Sequence, residues 1–244
     1  MCSSDLHFEC VGDHRNFSHR RFRFANQFAR DHLRMRENLS NTAHDAMLDI
    51  EDGVAPNEKD SARKNIADSL GRAKAPATPA RYVRINAIGH ARMNADLEAV
   101  VRPGLDGLVC PKVDTSEEVR TVDAILNEKE PSSGLAKGSV KLLIAIESPR
   151  GLLNAAAIAA SSPRIAGIMF GAEDFGREIG LPAVREGQAR DLIYARSSMV
   201  IAAASAHVQA VDGVWVDLND TQGLLGFAKQ SRQLGFSGMP SPFT

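Results

Sequence analysis

Glu147 and the adjacent pair Glu173-Asp174 further along are the residues whose type and spacing first suggest chemistry. Each closes a short apolar run. Val140-Lys141-Leu142-Leu143-Ile144-Ala145-Ile146 leads into Glu147-Ser148-Pro149, and Ile165-Ala166-Gly167-Ile168-Met169-Phe170 leads into Gly171-Ala172-Glu173-Asp174-Phe175. Runs of this length, aliphatic and bounded by breakers, read as buried strands. The Ala- and Leu-rich stretch from Ser148 to Ser162 is long enough for a helix between them. The unit is therefore β-α-β, with a carboxylate at the carboxyl end of each strand, where parallel α/β sheets and barrels keep their chemistry. Two carboxylates gathered there repel each other unless a cation neutralises them. A hard divalent ion does so directly, and Mg2+ takes one or two carboxylates plus water and substrate oxygens. The plain alternative is two solvated acids at loop starts.

A second group lies upstream. Ala46-Met47-Leu48-Asp49-Ile50-Glu51 reads as a strand turning at Asp52-Gly53-Val54-Ala55-Pro56. Strand side chains alternate faces, so Asp49 and Glu51 share one face while Leu48 and Ile50 share the other. Acids on a buried strand are unfavourable unless paired or hydrogen-bonded. Arg81-Tyr82-Val83-Arg84-Ile85-Asn86 is the next strand, and Arg84 is the cation expected to meet Asp49 and Glu51 or to grip a substrate carboxylate. The alternative for Arg84 is an exposed surface position.

The elements that must position these residues alternate along the chain. A helix is expected from Asn57 to Leu70, with Glu58 and Asp60 in its first turn. A short helix spans Asn94 to Arg102. Gly107 to Val113 is a strand and its loop, and the Thr115/Glu118 capping box opens a helix to Glu128. Glu130 to Lys137 is a polar loop. Gly176 to Gly187 is a loop or broken helix, and Gln188 to Val208 is a long helix with Met199 in its packing face. Val211 to Val216 is a strand, Asn219 or Asp220 caps a helix to Leu234, and Phe236 to Met239 starts a last strand. This alternation means a mostly parallel sheet or a (β/α)8 barrel. Charged residues at the ends of several separate strands favour the barrel, and no glycine-rich phosphate loop of a doubly wound sheet is present.

Composition narrows the function. A formal net charge of −1 gives no case for nucleic acid or an anionic membrane, and 5% aromatic residues offer few stacking platforms. Cys2, Cys10 and Cys110 form neither a disulfide framework nor a zinc pattern. There is no apolar run of membrane-spanning length and no secretory h-region at the start. Residues 1–37 form a poorly readable, Arg-rich segment, and residues 38–244 carry the barrel pattern.

Leu48-Asp49-Ile50-Glu51-Asp52-Gly53-Val54-Ala55-Pro56, with Lys59 and Ala62-Arg63 behind it, resembles the D-L-E-D-x-V-x-P…K…A-R signature of citrate lyase β-subunit-like proteins in the HpcH/HpaI aldolase/citrate lyase family. Arg84-Ile85-Asn86 resembles that family's R-x-N strand, and Pro111-Lys112-Val113 its P-K strand end. Glu147-Ser148-Pro149-Arg150-Gly151 resembles its E-[ST]-x-x-G, and Gly171-Ala172-Glu173-Asp174-Phe175 its G-x-x-D. The resemblance implies a (β/α)8 TIM-type barrel that uses Mg2+ to make or break a carbon–carbon bond in a citryl-, citramalyl- or malyl-CoA-type thioester. By motif match Glu147 and Asp174 would hold the metal. Arg84 would bind the substrate and polarise its carbonyl, while Asp49 and Glu51 would order Arg84 and metal-bound water. The backbone at Gly171 and Ala172 would approach the substrate closely. None of His44, His90 and His207 matches a catalytic motif, and Lys112 is not in a Schiff-base context.

The pattern departs from the family at both ends, with a diverged first strand and a truncated C-terminal end after Gly235-Phe236-Ser237-Gly238. Three readings follow: an active lyase on an acyl-CoA, a class II pyruvate aldolase on free hydroxy-keto acids, or a catalytically inactive homologue that binds the ligand or sister subunits. A homo-oligomer in the cytoplasm or mitochondrial matrix, not secreted, suits all three.

Overall fold

The structure, a computed structural model, describes residues 24–27, 45–74, 79–182, 189–217 and 219–242. Eight strands among them form one parallel sheet: β1 Phe24–Gln27, β2 Asp45–Asp49, β3 Ala80–Arg84, β4 Gly107–Cys110, β5 Lys141–Ile146, β6 Ile165–Phe170, β7 Gln209–Val211 and β8 Pro240–Pro242. Their order is β7-β6-β5-β4-β3-β2-β1-β8. The seam between β7 and the approach to β8 is bridged as well, by Val211 beside Gly238. There Asp212 N donates to Gly238 O at 2.9 Å and Ser237 N donates to Ala210 O at 2.9 Å. The sheet therefore curls round on itself as a TIM-type (β/α)8 barrel. Seven α-helices among the described residues run outside it: α1 Lys59–Leu70, α2 Met93–Val100, α3 Ser116–Ser132, α4 Pro149–Ala159, α5 Ala172–Glu178, α6 Ile193–Ser205 and α7 Thr221–Leu234.

Strand alternation divides the core in two. Met47, Tyr82, Val109, Leu143, Ala145, Met169 and Val211 point inward and fill the barrel. Their sequence neighbours, such as Leu48, Val83, Leu108, Leu142, Ile144 and Ile168, point outward against Ile66, Leu97, Val122, Ile158 and Met199 of the helices. The inward parity continues past the apolar layer. Two residues beyond Met47 is Asp49, two beyond Tyr82 is Arg84, and two beyond Ala145 is Glu147. The barrel's inner face thus changes from apolar to charged at the carboxyl ends of its strands.

Several boundaries differ from the sequence-based expectation. Helix α1 starts at Lys59 after Glu58, not at Asn57, because Pro56 sits in a turn closed by Glu58 N donating to Ala55 O at 2.9 Å. Helix α3 runs on through Pro131 to Ser132, since Glu130 is fully buried and its carboxylate accepts from Gly138 N and Val140 N. The expected polar loop is thus shorter than its composition suggested. The expected long helix is a 3-10 turn, Arg190–Leu192, followed by α6. Strand β7 ends at Val211 rather than continuing to Val216, because Asp212 turns into a buried ion pair with Arg196. Trp215 then stacks near Phe227 of α7, with ring centroids 5.6 Å apart. Most of the Arg-rich start and His44 fall outside the described residues; β1 is the described piece of that start.

Candidate active site

Asp49 and Arg84 are register partners on the adjacent parallel strands β2 and β3, both facing the barrel interior. Arg84 Nε donates to Asp49 Oδ1 at 2.8 Å, and its NH2 group donates to Oδ2 at 2.6 Å. The same two oxygens accept the backbone N–H groups of Glu51 at 2.8 Å and Gly53 at 3.0 Å. Asp49 is buried and its acceptor sites are filled, so it orients Arg84 and has no ready lone pair for water. Burial works against the Arg84 charge, but the Asp49 hydrogen bonds and the carboxylates of Asp49, Glu51 and Glu147 outweigh it and raise its affinity for the proton. Only two of the five guanidinium N–H groups are committed to Asp49. NH1 lies 3.2 Å from Glu51 Oε2, which leaves two donors without a partner among the described residues.

Glu51 stands in the turn after β2, buried, between two cations. Its Oε2 faces Arg84 and accepts Asp52 N at 2.8 Å, while Oε1 accepts Lys112 Nζ at 2.6 Å. Lys112 also reaches Asp52 Oδ2 at 2.7 Å. Beneath the turn, the buried Lys59 ammonium donates to Ile50 O at 2.6 Å and Glu51 O at 2.7 Å, fixing the carbonyls that precede the sharp bend. Behind β3, the fully buried Asp96 accepts from Arg63 Nε, Asn86 N and Asn86 Nδ2. The Lys, Arg and Asn of the sequence signature are therefore braces for the strand ends.

Glu147 leaves the end of β5 and is buried, yet among the described residues its carboxylate accepts no hydrogen bond. Burial, reinforced by the negative charges of Glu51 and Asp174 and partly offset by Arg84 and Lys112, pushes its carboxyl up to about 7. Its side chain lies directly on Gly171, where an added Cβ would fall 2.3 Å from Glu147 Cγ. Ser148 caps α4 by accepting from Gly151 N at 2.8 Å, and its hydroxyl bonds Asp114. Gly151 is required because a Cβ there would lie 2.6 Å from Val113 O.

Asp174 belongs to the first turn of α5, so the chain becomes helical immediately after Gly171 rather than forming the expected loop. It is one-third exposed and pairs with Arg177. Ala172 opens the same helix, and Gly213 after β7 packs against it. Asp49, Glu51, Arg84, Glu147, Gly171, Ala172 and Asp174 thus all gather at the carboxyl end of the barrel. His90 and His207 are both exposed. Sequence reasoning overlooked the bracing roles of Lys112, Lys59 and Asp96; the Pro-Lys at the end of an apolar run was the available signal for the first.

Among the described residues no three His, Cys, Asp or Glu side chains form a complete metal cage. Glu147, which accepts no hydrogen bond among the described residues, and Asp174, whose charge adds to the rise in its proton affinity, are the two oxygen donors here that could hold a hard cation.

The model of the HpcH/HpaI aldolase/citrate lyase family matches residues 28–241. The chain belongs to this family. It is 41% identical over 192 residues to citrate lyase subunit beta of Escherichia coli K12, covering 79% of this chain and 63% of that protein. It is 32% identical over 203 residues to the mitochondrial citramalyl-CoA lyase of Rattus norvegicus, covering 79% of this chain and 59% of that protein. This family chain thus spans somewhat under two-thirds of the length of both relatives. Among solved structures, the citrate lyase beta subunit of M. tuberculosis complexed with oxaloacetate and magnesium superposes with a TM-score of 0.71 at 27% identity, covering 90% of each chain.

Proposed function

We propose that the protein is a Mg2+-dependent carbon–carbon lyase that cleaves or forms a β-hydroxyacyl-CoA of the citryl, citramalyl or malyl type. The observation that carries this reading is Glu147, a buried carboxylate without a hydrogen-bond partner among the described residues, set beside an arginine with open donors. Glu147 and Asp174 are the residues that would hold Mg2+, whose chemistry there is Lewis-acid withdrawal of electrons from a substrate oxygen. The relatives named for citrate and citramalyl-CoA cleavage, and the one bound to oxaloacetate and magnesium, support the substrate class.

The chain's own residues supply the rest. Retro-aldol cleavage breaks the bond between the thioester's α carbon and the hydroxyl-bearing carbon. The hydroxyl proton passes to solvent, leaving a carbonyl on the departing keto acid and an enolate on the acyl-CoA, which takes a proton from solvent to give the free acyl-CoA. The open N–H groups of Arg84 bind a substrate carboxylate or carbonyl oxygen, and Asp49 holds the guanidinium in place before the reaction starts. Gly171, which has no side chain, and the N-terminal backbone of α5 allow substrate close to Glu147. On the same reading the protein works in the cytoplasm or the mitochondrial matrix, the latter in line with the mitochondrial citramalyl-CoA lyase, as a self-associating chain. Exposed Tyr194 and Ile201 on α6 support the self-association.

The test is direct. Purified protein with Mg2+ is incubated with citramalyl-, malyl- and citryl-CoA, and acyl-CoA products are separated by chromatography. One thioester should yield acetyl-CoA and its keto acid, with the rate falling roughly 100-fold or more in R84M, the scale of losing a preorganised charge stabiliser. Absence of products from all three by a folded protein that binds Mg2+ would instead favour an inactive ligand-binding homologue.

A further inference from the structure

Lys112 is the one residue of this site whose backbone is strained. Its φ is 54°, in the left-handed region that suits glycine and disfavours a residue with a side chain. Such strain persists where surrounding interactions hold it. Here the holding contacts are those of the ammonium, which crosses from the end of β4 to the turn after β2 and binds Glu51 Oε1 at 2.6 Å and Asp52 Oδ2 at 2.7 Å.

The consequence lies one residue further on. Glu51 is buried, and its carboxylate oxygens contact two cations, Lys112 on one and Arg84 on the other. Among the described residues, two Arg84 N–H groups still have no partner. A buried carboxylate that loses one cation turns to the remaining one, because an unpaired buried charge is strongly unfavourable. Without Lys112, both Glu51 oxygens would compete for the open edge of Arg84.

We propose that Lys112 is a positioning residue that keeps Glu51 off the open edge of Arg84, so that the guanidinium stays available to an anionic oxygen of the substrate. This rests on the reading of Arg84 as the substrate-holding residue. It also accounts for a lysine where the backbone alone would select glycine.

The experiment measures oxaloacetate affinity by calorimetry at saturating Mg2+ for wild type, K112G, K112R, E51Q and K112G/E51Q, with thermal unfolding of each. K112G relieves the left-handed strain and so offsets part of the cost of unpairing Lys112 from Glu51, leaving the protein folded, yet it should bind oxaloacetate roughly 10-fold more weakly, the scale of one charge-assisted hydrogen bond. K112R should recover most of that loss. K112G/E51Q should bind as E51Q does, because a neutral side chain does not compete for Arg84; this non-additivity is the signature of action through Glu51. K112G with wild-type affinity overturns the proposal, as does a K112G loss that persists in full in the E51Q background, which would mean direct contact between Lys112 and the ligand. A wild type that binds Mg2+ and no oxaloacetate would overturn the substrate reading of Arg84 and this inference with it. Normal wild-type binding beside a normal K112G overturns this inference alone.

Discussion

The two ends of the barrel each bury an arginine among carboxylates, and they differ in what is left over. At the amino end, Arg164 precedes β6 and commits all five N–H groups: Nε to Asp123, NH1 to Glu130 and Val140 O, NH2 to Asn127 and Glu130. Glu130 in turn accepts from two backbone N–H groups. That network is closed, which is the condition under which buried charge rigidifies a fold. At the carboxyl end, Arg84 keeps donors open and Glu147 lacks a hydrogen-bond partner among the described residues. The same residue types build a brace where every group is satisfied and, at the proposed binding site, leave some groups without a partner among the described residues.

Breaking the brace should have the largest effect. R164M leaves Glu130, which is fully buried, without its cation, and should cost ~3–5 kcal/mol of stability by denaturant unfolding, the range for a broken buried pair. Mg2+ affinity of the protein that remains folded should be unchanged. If R164M weakened metal binding in a well-folded protein, the two ends would not be independent.

The next effect is a pH dependence found only at the open end. The Glu147 carboxyl is raised from 4.5 to about 7, chiefly by burial. A group that holds its proton more tightly when folded stabilises the fold fully below its unfolded value, and that contribution is lost as pH rises through the folded value. The metal-free protein should therefore lose up to ~3 kcal/mol between pH 5 and pH 8 through this residue. E147Q should remove that loss, so that urea midpoints of E147Q and wild type diverge as pH rises. Parallel curves would mean that Glu147 is solvated or paired. The smallest effect belongs to the rim. Asp52 is mostly exposed, and D52N should shift stability by less than ~0.5 kcal/mol, because Lys112 keeps its bond to Glu51.

Much of this contrast was legible in the sequence. Strands β2 and β3 follow from alternation and β4 to β6 from short apolar runs closed by breakers, and the Asp49–Arg84 contact follows from parity, since both residues continue an inward face past Met47 and Tyr82. Strand β7 was displaced in the reading because Val214-Trp215-Val216 is apolar for a different reason, with Trp215 packing against Phe227 of α7. The first turn of α5 was hidden because Gly171 looked like a breaker. The Lys112–Glu51 bond spans 61 positions and depends on a left-handed residue that nothing local announces. Nor can a sequence show that Glu147 accepts no hydrogen bond among the described residues while Glu130 accepts several, because that distinction arises only when the strands are placed side by side.

The central claim is that Glu147, the carboxylate at the barrel's carboxyl end that accepts no hydrogen bond among the described residues, is a metal ligand. Calorimetric titration of Mg2+ into metal-free wild type, E147Q and D174N at pH 8 tests it most directly, with circular dichroism to confirm that each variant is folded. Wild type should bind one Mg2+, E147Q should lose measurable binding while remaining at least as stable, and D174N should bind more weakly than wild type. A folded wild type that takes up no Mg2+, or an E147Q that binds it as wild type does, would contradict the account.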